Sequence, residues 1–222
     1  MKNDGKATKT LIMHAALEIF SREDFENATM RYIAERAGVT TSNIYNHFKN
    51  KNDLYVQLIS TIIERTSREL AMHLTGLSNT RNKLYRMTHY YLNFFQDNVH
   101  IARLFYARTN LSYWYEFEKA FKTARASGAL FIKIMEEGQR KGELRSDINL
   151  HMLGHIYHGA LRHMVVHWLY NQDSYSLSDM ADGFAEAIYE ASRAKETGNE
   201  TFTCPFMKGD GPKELLRPAV ST

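Results

Sequence analysis

The chain has 222 residues, of which 44% are hydrophobic, and its formal net charge is +3. This length and composition can fill a core without disulfides, and the single cysteine, Cys204, has no partner for one. No apolar run approaches the roughly 20 residues that span a bilayer, and the N-terminal segment lacks the apolar stretch of a secretory signal. We therefore exclude a membrane-spanning protein and a disulfide scaffold, and we expect a cytoplasmic protein without a membrane partner.

The three prolines, Pro205, Pro212 and Pro218, all lie near the C-terminus. Because proline disrupts the interior of a helix, its absence from the rest of the chain favours an all-α fold. The first predicted helix carries apolar residues at helical spacing from Leu11 to Phe20 and ends near residue 21. We expect it to pack with the next two helices as a small N-terminal bundle.

Residues 29–54 contain two short helical patterns joined by a glycine. The first runs from Met30 to Ala37, after which Gly38 supplies the left-handed conformation that ends a helix. Thr40 is placed to cap a second helix that runs to about Phe48. The spacing predicts a helix-turn-helix, whose second helix enters the major groove of DNA.

The second helix of this motif has an apolar face and a polar face. Val39, Ile44 and Phe48 can point inward, and the outward residues are Thr41, Ser42, Asn43, Tyr45, Asn46 and His47. Amide side chains bind adenine edges through two hydrogen bonds, and threonine can bond a base or touch a thymine methyl. We therefore predict that bases are read by Thr41, Ser42, Asn43 and Asn46.

The order of residues in this motif resembles the signature of the tetracycline-repressor (TetR) family of bacterial transcription regulators, T-x-x-x-I-A-x-x-A-G-V-S-x-x-x-[LI]-Y-x-[HY]-F-x-x-K-x-x-L. The matching positions are Thr29, Ile33, Ala34, Ala37, Gly38, Val39, Ile44, Tyr45, His47, Phe48, Lys51 and Leu54, with Thr40 in place of the usual serine. Many relatives carry Lys or Arg at the position of Thr41, whereas this helix has neither before Lys49. We therefore expect the affinity for DNA to depend on the flanks of the helix.

The resemblance implies a homodimeric, ligand-responsive transcriptional regulator, in the simplest case a repressor, that binds palindromic double-stranded operator DNA. It also implies an all-α fold with an N-terminal three-helix DNA-binding bundle and a larger C-terminal helical domain for ligand binding and dimerisation. The residues assigned to phosphate contacts are Thr29, Tyr45, His47 and Lys51 from the family positions, and Lys49 from its place beside the recognition helix. We place the domains at residues 1–50 and 51–195, with an irregular tail at 196–222, where glycine, proline and charge replace the helical pattern.

The C-terminal domain contains a series of longer helical patterns. A helix capped by Asn50 and running toward His73 would connect the two domains, and further patterns lie at 83–98, 100–108, 113–141, 149–170 and 178–194. In the TetR family the final pair of helices forms a four-helix dimer interface. The resemblance therefore implies an interface formed by Met164, Trp168, Phe184, Ala187 and Ile188, whereas the alternative is that these residues are the core of a monomer.

Aromatic residues concentrate in the C-terminal domain, as expected for a core but also for a ligand pocket. The pocket residues that we predict are Tyr91, Phe95, Arg103, Tyr106, Trp114, Phe121, Tyr157, His158 and Arg162. Arginine and histidine could hold an anionic group, which suits an aromatic acid or an acyl chain with a charged end. Residues 138–149 and 159–169 are also similar to TetR members that regulate fatty-acid metabolism and respond to acyl-CoA.

Histidines at helical spacing leave a metal site open as an alternative, with His151, His155 and His158 on one face and His163 and His167 as a second pair. No cysteine or H-E-x-x-H pattern accompanies them, so we predict no metal and no cofactor. No nucleophile motif or phosphate loop is present, and we predict no enzyme activity. The alternatives to a specific regulator are a non-specific nucleic-acid-binding protein and a carrier of small molecules or metals.

Overall fold

The computed structural model describes residues 2–23, 25–106, 125–172 and 174–194, and in this part of the chain every regular element is a helix. The α-helices, in chain order, are α1 Lys2–Arg22, α2 Met30–Arg36, α3 Thr41–His47, α4 Lys51–Leu74, α5 Thr80–Asp97, α6 Val99–Tyr106, α7 Arg125–Arg140, α8 Leu150–Tyr170 and α9 Ala181–Ser192. A 3₁₀ turn, Ser178–Met180, precedes α9. The predicted all-α fold is confirmed. None of the described helices is long and apolar enough to cross a membrane.

Several helix boundaries differ from the sequence-based prediction. Helix α1 begins at Lys2, whereas the apolar pattern that predicts it begins only at Leu11. The first turns of the helix are polar and carry no apolar pattern, so spacing did not reveal them. The final pattern divides into a 3₁₀ turn and α9, which ends at Ser192. The first half of the pattern at 113–141 and the tail at 196–222 lie outside the described residues.

Side-chain caps fix the starts of most helices. Thr29, Thr40 and Asn50 accept the backbone N–H of Tyr32, Asn43 and Asp53, at 3.1, 3.2 and 2.8 Å. Asn79 and Asn149 cap α5 and α8 in the same way. Each cap satisfies a backbone donor that the first turn of a helix leaves unpaired, which typically contributes about 1 kcal/mol.

The N-terminal bundle consists of α1, α2 and α3, which pack around a common apolar centre. Ile12, Ile33, Ile44 and Phe48 are all buried there. Gly38, with a φ of +69°, makes the turn between α2 and α3, in a region of backbone space that side chains disfavour. The bundle is not isolated, because α1 also packs along α6 and against α4.

The C-terminal domain has Tyr157 of α8 at its centre. The Tyr157 ring is fully buried and stacks on Phe131 of α7 at 4.5 Å and on Phe184 of α9 at 5.5 Å between centroids. Its hydroxyl lies 3.1 Å from the Thr88 hydroxyl of α5. This residue therefore joins four helices, while α9 packs chiefly along α5.

Candidate DNA-binding face and ligand cavity

Helix α3 presents the polar face that the sequence predicts. Ile44 is fully buried, whereas Thr41, Ser42, Asn43 and Asn46 are exposed. The turn at Gly38 and the cap at Thr40 set the direction of this helix, and its buried residues anchor it to α1 and α2. The four predicted base-reading residues are thus accessible together on one short, rigid helix.

The predicted phosphate-binding residues surround this face but differ in their own contacts. Thr29 is exposed at the start of α2, where its side chain also serves as the cap, and 54% of Tyr45 is exposed. His47 is half-buried beside α1, and Lys49 is exposed just beyond α3.

Lys51 has a structural role that sequence did not reveal. Its ammonium group donates hydrogen bonds to the backbone carbonyls of Phe25 and Glu26 and lies 4.4 Å from the centroid of the Phe25 ring. These contacts fasten the α1–α2 turn to the start of α4. In this conformation the Lys51 side chain is directed into the protein rather than toward a phosphate.

A large cavity occupies the C-terminal domain between α4, α5, α6, α7 and α8. Its volume is about 1060 Å³, at the upper end of the roughly 300–1,000 Å³ typical of small-molecule sites. Apolar residues from every one of these helices form its walls, among them Ile63, Leu92, Phe105, Ile132 and Val165. Gly128 and Gly159, which have open space where a side chain would be, contribute to its width, and Gly154 lines it where α8 packs closely on Ile132 of α7.

The cavity is polar at one end and mostly apolar at the other. Its exposed lining residues all lie on α7 and the first half of α8, and they include Lys133, Glu136, His151 and His155. We call these four residues the mouth. Deeper in the cavity the polar groups are few, as is typical of sites that bind an elongated, largely apolar molecule.

His158 lies between the mouth and the apolar interior. Burial, and secondarily the nearby His155, lower its pKa to about 4, so the imidazole is neutral at physiological pH. Its ring contacts Tyr157 and Phe131 edge to face, with centroids 5.1 and 5.7 Å away. Its Nε2 atom is buried and has no hydrogen-bond partner among the described residues.

Five of the nine predicted pocket residues line this cavity: Tyr91, Phe95, Tyr106, His158 and Arg162. Two do not. Arg103 is exposed and is not among the residues that line the cavity, and Tyr157 is buried behind the wall, where it stacks on Phe131. Trp114 and Phe121 lie outside the described residues.

Several lining residues were missed by the sequence analysis, including Ile62, Thr66, Phe94, Phe105, Lys133, Glu136 and Gly154. The spacing of residues along α8 could have indicated which of them line the cavity. His151, His155, His158, Arg162 and Val165 follow one helical face, and all five line the cavity. The histidine pattern considered for a metal is therefore part of the cavity wall. Among the described residues, no three His, Cys, Asp or Glu side chains are grouped closely enough to hold a metal ion.

The predicted interface residues fall into two groups. Trp168 and Ile188 are only 5% and 7% exposed, because they pack against other helices of the same chain. Met164 and Phe184 are half-buried and Ala187 is exposed. The apolar side chains that α8 leaves most exposed are Met152, Ile156 and Tyr170.

Helix α6 joins the cavity to the N-terminal bundle. Phe105 and Tyr106 of α6 line the cavity, while α6 also packs along α1. The Tyr55 hydroxyl of α4 donates a buried hydrogen bond to the backbone carbonyl of Leu104, at 3.1 Å. A ligand that displaced α6 or α4 would therefore act directly on the helices that support α3.

Comparison with known proteins agrees with this arrangement. Residues 12–58 match the family model "Bacterial regulatory proteins, tetR family", and residues 55–191 match "YsiA-like protein, C-terminal region". The chain is similar to the fatty acid metabolism regulator protein of Bacillus subtilis, with 24% identity over 184 residues, which cover 80% of this chain and 91% of the relative.

Two solved structures share the fold. The fatty acid degradation regulator FadR from Bacillus halodurans matches with a TM-score of 0.77 and 18% identity, over 82% of this chain and 94% of that one. FadR from Bacillus subtilis, in complex with stearoyl-CoA, matches with a TM-score of 0.75 and 19% identity, over 81% and 97%. The two family models together confirm the resemblance seen in the sequence, and the chain belongs to the tetR family of bacterial regulatory proteins, as a transcriptional regulator with a YsiA-like C-terminal region.

Proposed function

We propose that this regulator is a homodimeric repressor that binds a palindromic operator and releases it when a long-chain acyl-CoA occupies the cavity. The observation that carries this proposal is the cavity itself, with its apolar interior and its mouth of Lys133, Glu136, His151 and His155. An acyl chain suits the interior, and the phosphates of coenzyme A suit a mouth where Lys133 offers a cation and the two histidines offer N–H donors. The stearoyl-CoA bound by the structurally similar B. subtilis FadR supports the same class of effector.

In the DNA complex, α3 of each subunit would enter one major groove. Bases would be read by Thr41, Ser42, Asn43 and Asn46, because all four are exposed on α3 and carry groups that can bond base edges. Phosphates would be held mainly by Thr29, Tyr45, His47 and Lys49, with Lys51 positioning the α1–α2 turn.

Dimerisation would use the exposed apolar side of α8 together with Ala187 of α9. Met152 and Ile156, two large apolar residues one turn apart on α8, are 59% and 53% exposed. Such a patch commonly marks a protein interface. A twofold dimer would place two α3 helices against the two half-sites of a palindrome.

The switch would depend on helices that touch both the cavity and the N-terminal bundle. An effector between α4, α6 and α8 would bind best when these helices separate, and α1 and α4 would then carry α3 away from operator spacing. A shift from mostly bound to mostly released needs a difference in effector affinity of roughly 5 kcal/mol between the two states.

The test begins with selection of bound duplexes from a random DNA pool at moderate salt. We expect a palindrome, and we expect palmitoyl-CoA to release that DNA in a fluorescence anisotropy titration, whereas coenzyme A alone does not. Recovery of no motif, with binding lost on a mild increase in salt, would instead indicate a non-specific nucleic-acid-binding protein. Tight binding of palmitoyl-CoA without any change in operator affinity would indicate a carrier.

A free carboxylic acid is the second candidate effector. Arg162 lines the interior of the cavity, where a guanidinium group could pair with a carboxylate. Titration with palmitate and with benzoate distinguishes the candidates. Release by a free acid, with no response to palmitoyl-CoA, would favour this alternative.

A further inference from the structure

Within the described part of the chain, the Nε2 atom of His158 has no hydrogen-bond partner. Among the described residues, two side chains hold a buried nitrogen or oxygen without a hydrogen-bond partner, Ser67 and His158, and only His158 lines the cavity. Leaving a buried polar atom unpaired is unfavourable, and native proteins do so rarely without a functional reason. A ligand in the cavity could supply the missing partner.

The surroundings of His158 select the chemistry of that partner. The ring contacts Tyr157 and Phe131 edge to face, and among the described residues no carboxylate is hydrogen-bonded to it. Burial lowers the pKa of His158 to about 4, so its imidazole is neutral and offers one N–H donor and one acceptor nitrogen. A neutral carbonyl is a better partner there than a carboxylate, whose burial beside a neutral ring would cost much of its hydration.

The position of His158 defines where this group lies along the ligand. His151 at the mouth and Val165 in the interior are each seven residues away on α8, which is about 10 Å in either direction. The ligand therefore needs a polar or charged part toward the mouth, a neutral hydrogen-bonding group near its middle and an apolar part in the interior. An acyl thioester of coenzyme A has these parts in this order.

We propose that His158 Nε2 donates a hydrogen bond to the thioester carbonyl oxygen of the bound acyl-CoA, with the acyl chain in the interior and the coenzyme A at the mouth. This inference rests on the proposed function and adds a specificity-determining residue to it. The protein would thus distinguish an acyl thioester from a molecule of the same length and charge that lacks the carbonyl. His158 would recognise the bond that defines the class of effector, and the apolar walls would accept chains of different structure.

The experiment compares palmitoyl-CoA with S-hexadecyl-CoA, a thioether in which the carbonyl is replaced by a methylene group. Direct binding is measured by calorimetry, and release of operator DNA by anisotropy, for the full chain. We expect the wild-type protein to bind the thioether on the order of ten-fold more weakly, because its His158 donor stays unpaired. His158→Phe should bind the two ligands equally, and His163→Phe, a change at an exposed residue of α8 that does not line the cavity, should keep the wild-type preference.

The outcomes separate this inference from the proposed function. Equal binding of the two ligands by the wild-type protein, with release of DNA by both, would overturn the role of His158 and leave the acyl-CoA effector standing. A preference that survives in folded His158→Phe would also overturn it. Failure of both ligands to bind would overturn the acyl-CoA effector and the inference together. Because the wild-type comparison needs no variant, the test holds even if His158→Phe does not fold.

Discussion

The helix-turn-helix and the cavity differ in the sequence separation of the residues that form them. In the helix-turn-helix, the decisive contacts join residues three apart, such as Thr29 with Tyr32 and Thr40 with Asn43. The cavity is built from helices far apart in sequence, so that Ile62 and Arg162 line the same space. Local rules therefore determine the DNA-binding unit, whereas the cavity depends on long-range packing and on positions where side chains are small.

The largest effect that we expect is on the free energy of unfolding when the buried ring of Tyr157, which supports the cavity wall, is removed. Tyr157→Ala should lower the free energy of unfolding by about 3–5 kcal/mol, because the ring stacks on Phe131 and Phe184 from two other helices. Tyr157→Phe, which removes only the hydroxyl near Thr88, should cost about 1 kcal/mol. Urea unfolding at equal protein concentration measures both. A Tyr157→Ala protein as stable as Tyr157→Phe would show that the wall is held locally, as the helix-turn-helix is.

His158, which lines the cavity, should make the stability of the C-terminal domain depend on pH. Its pKa is about 4 when folded and has an ordinary value of 6.5, so between these values the unfolded chain binds a proton that the folded chain does not. Protonation of His158 in the unfolded chain therefore lowers the free energy of unfolding as the pH falls from 6.5 toward 4, by up to about 3 kcal/mol. Above pH 6.5 this destabilisation is absent. The difference between wild type and His158→Phe, measured by urea unfolding at several pH values, should follow this course. Parallel pH profiles would contradict it.

Asn43→Ala tests the local unit at the level of DNA sequence. This side chain is exposed on α3, and its removal should cost about 1–3 kcal/mol on the preferred operator and much less on unrelated DNA. Anisotropy titrations with both DNA molecules measure the difference. A uniform loss on all sequences would assign Asn43 to phosphate contacts instead.

The smallest effects that we expect distinguish Lys51 from Lys49, which the sequence analysis assigned to the same role in phosphate binding. Lys51→Ala should lower the free energy of unfolding by about 1 kcal/mol, because its ammonium group holds the carbonyls of Phe25 and Glu26, and should weaken binding to all DNA. Lys49→Ala, at an exposed position, should leave the free energy of unfolding unchanged. It should reduce the slope of log affinity against log salt concentration by about 1, because one phosphate contact is lost. The reverse pattern in unfolding and salt titrations would restore Lys51 as the principal phosphate contact.

These contrasts explain which features could be predicted from sequence. The two short helices, Gly38 and the caps depend on neighbouring residues, and the burial of Ile44 and Phe48 follows from helical spacing. Spacing alone does not show which residues of α6 line the cavity, which are Phe105 and Tyr106 and not the exposed Arg103.

For the same reason, aromatic content could not show that Tyr157 lies behind the wall rather than in it. The contributions of Thr66 and Gly154 arise only when α4, α7 and α8 are packed together. Trp168 and Ile188 follow the apolar pattern expected of an interface, but a helix buried in one subunit has the same pattern.

The position of α6 also has a consequence for how this regulator can evolve. One short helix is both a wall of the cavity, through Phe105 and Tyr106, and a support for α1. A substitution at Phe105 that admits a new ligand would also alter the support of the DNA-binding unit. Changes of effector specificity through α6 are therefore expected to arise together with changes in basal repression.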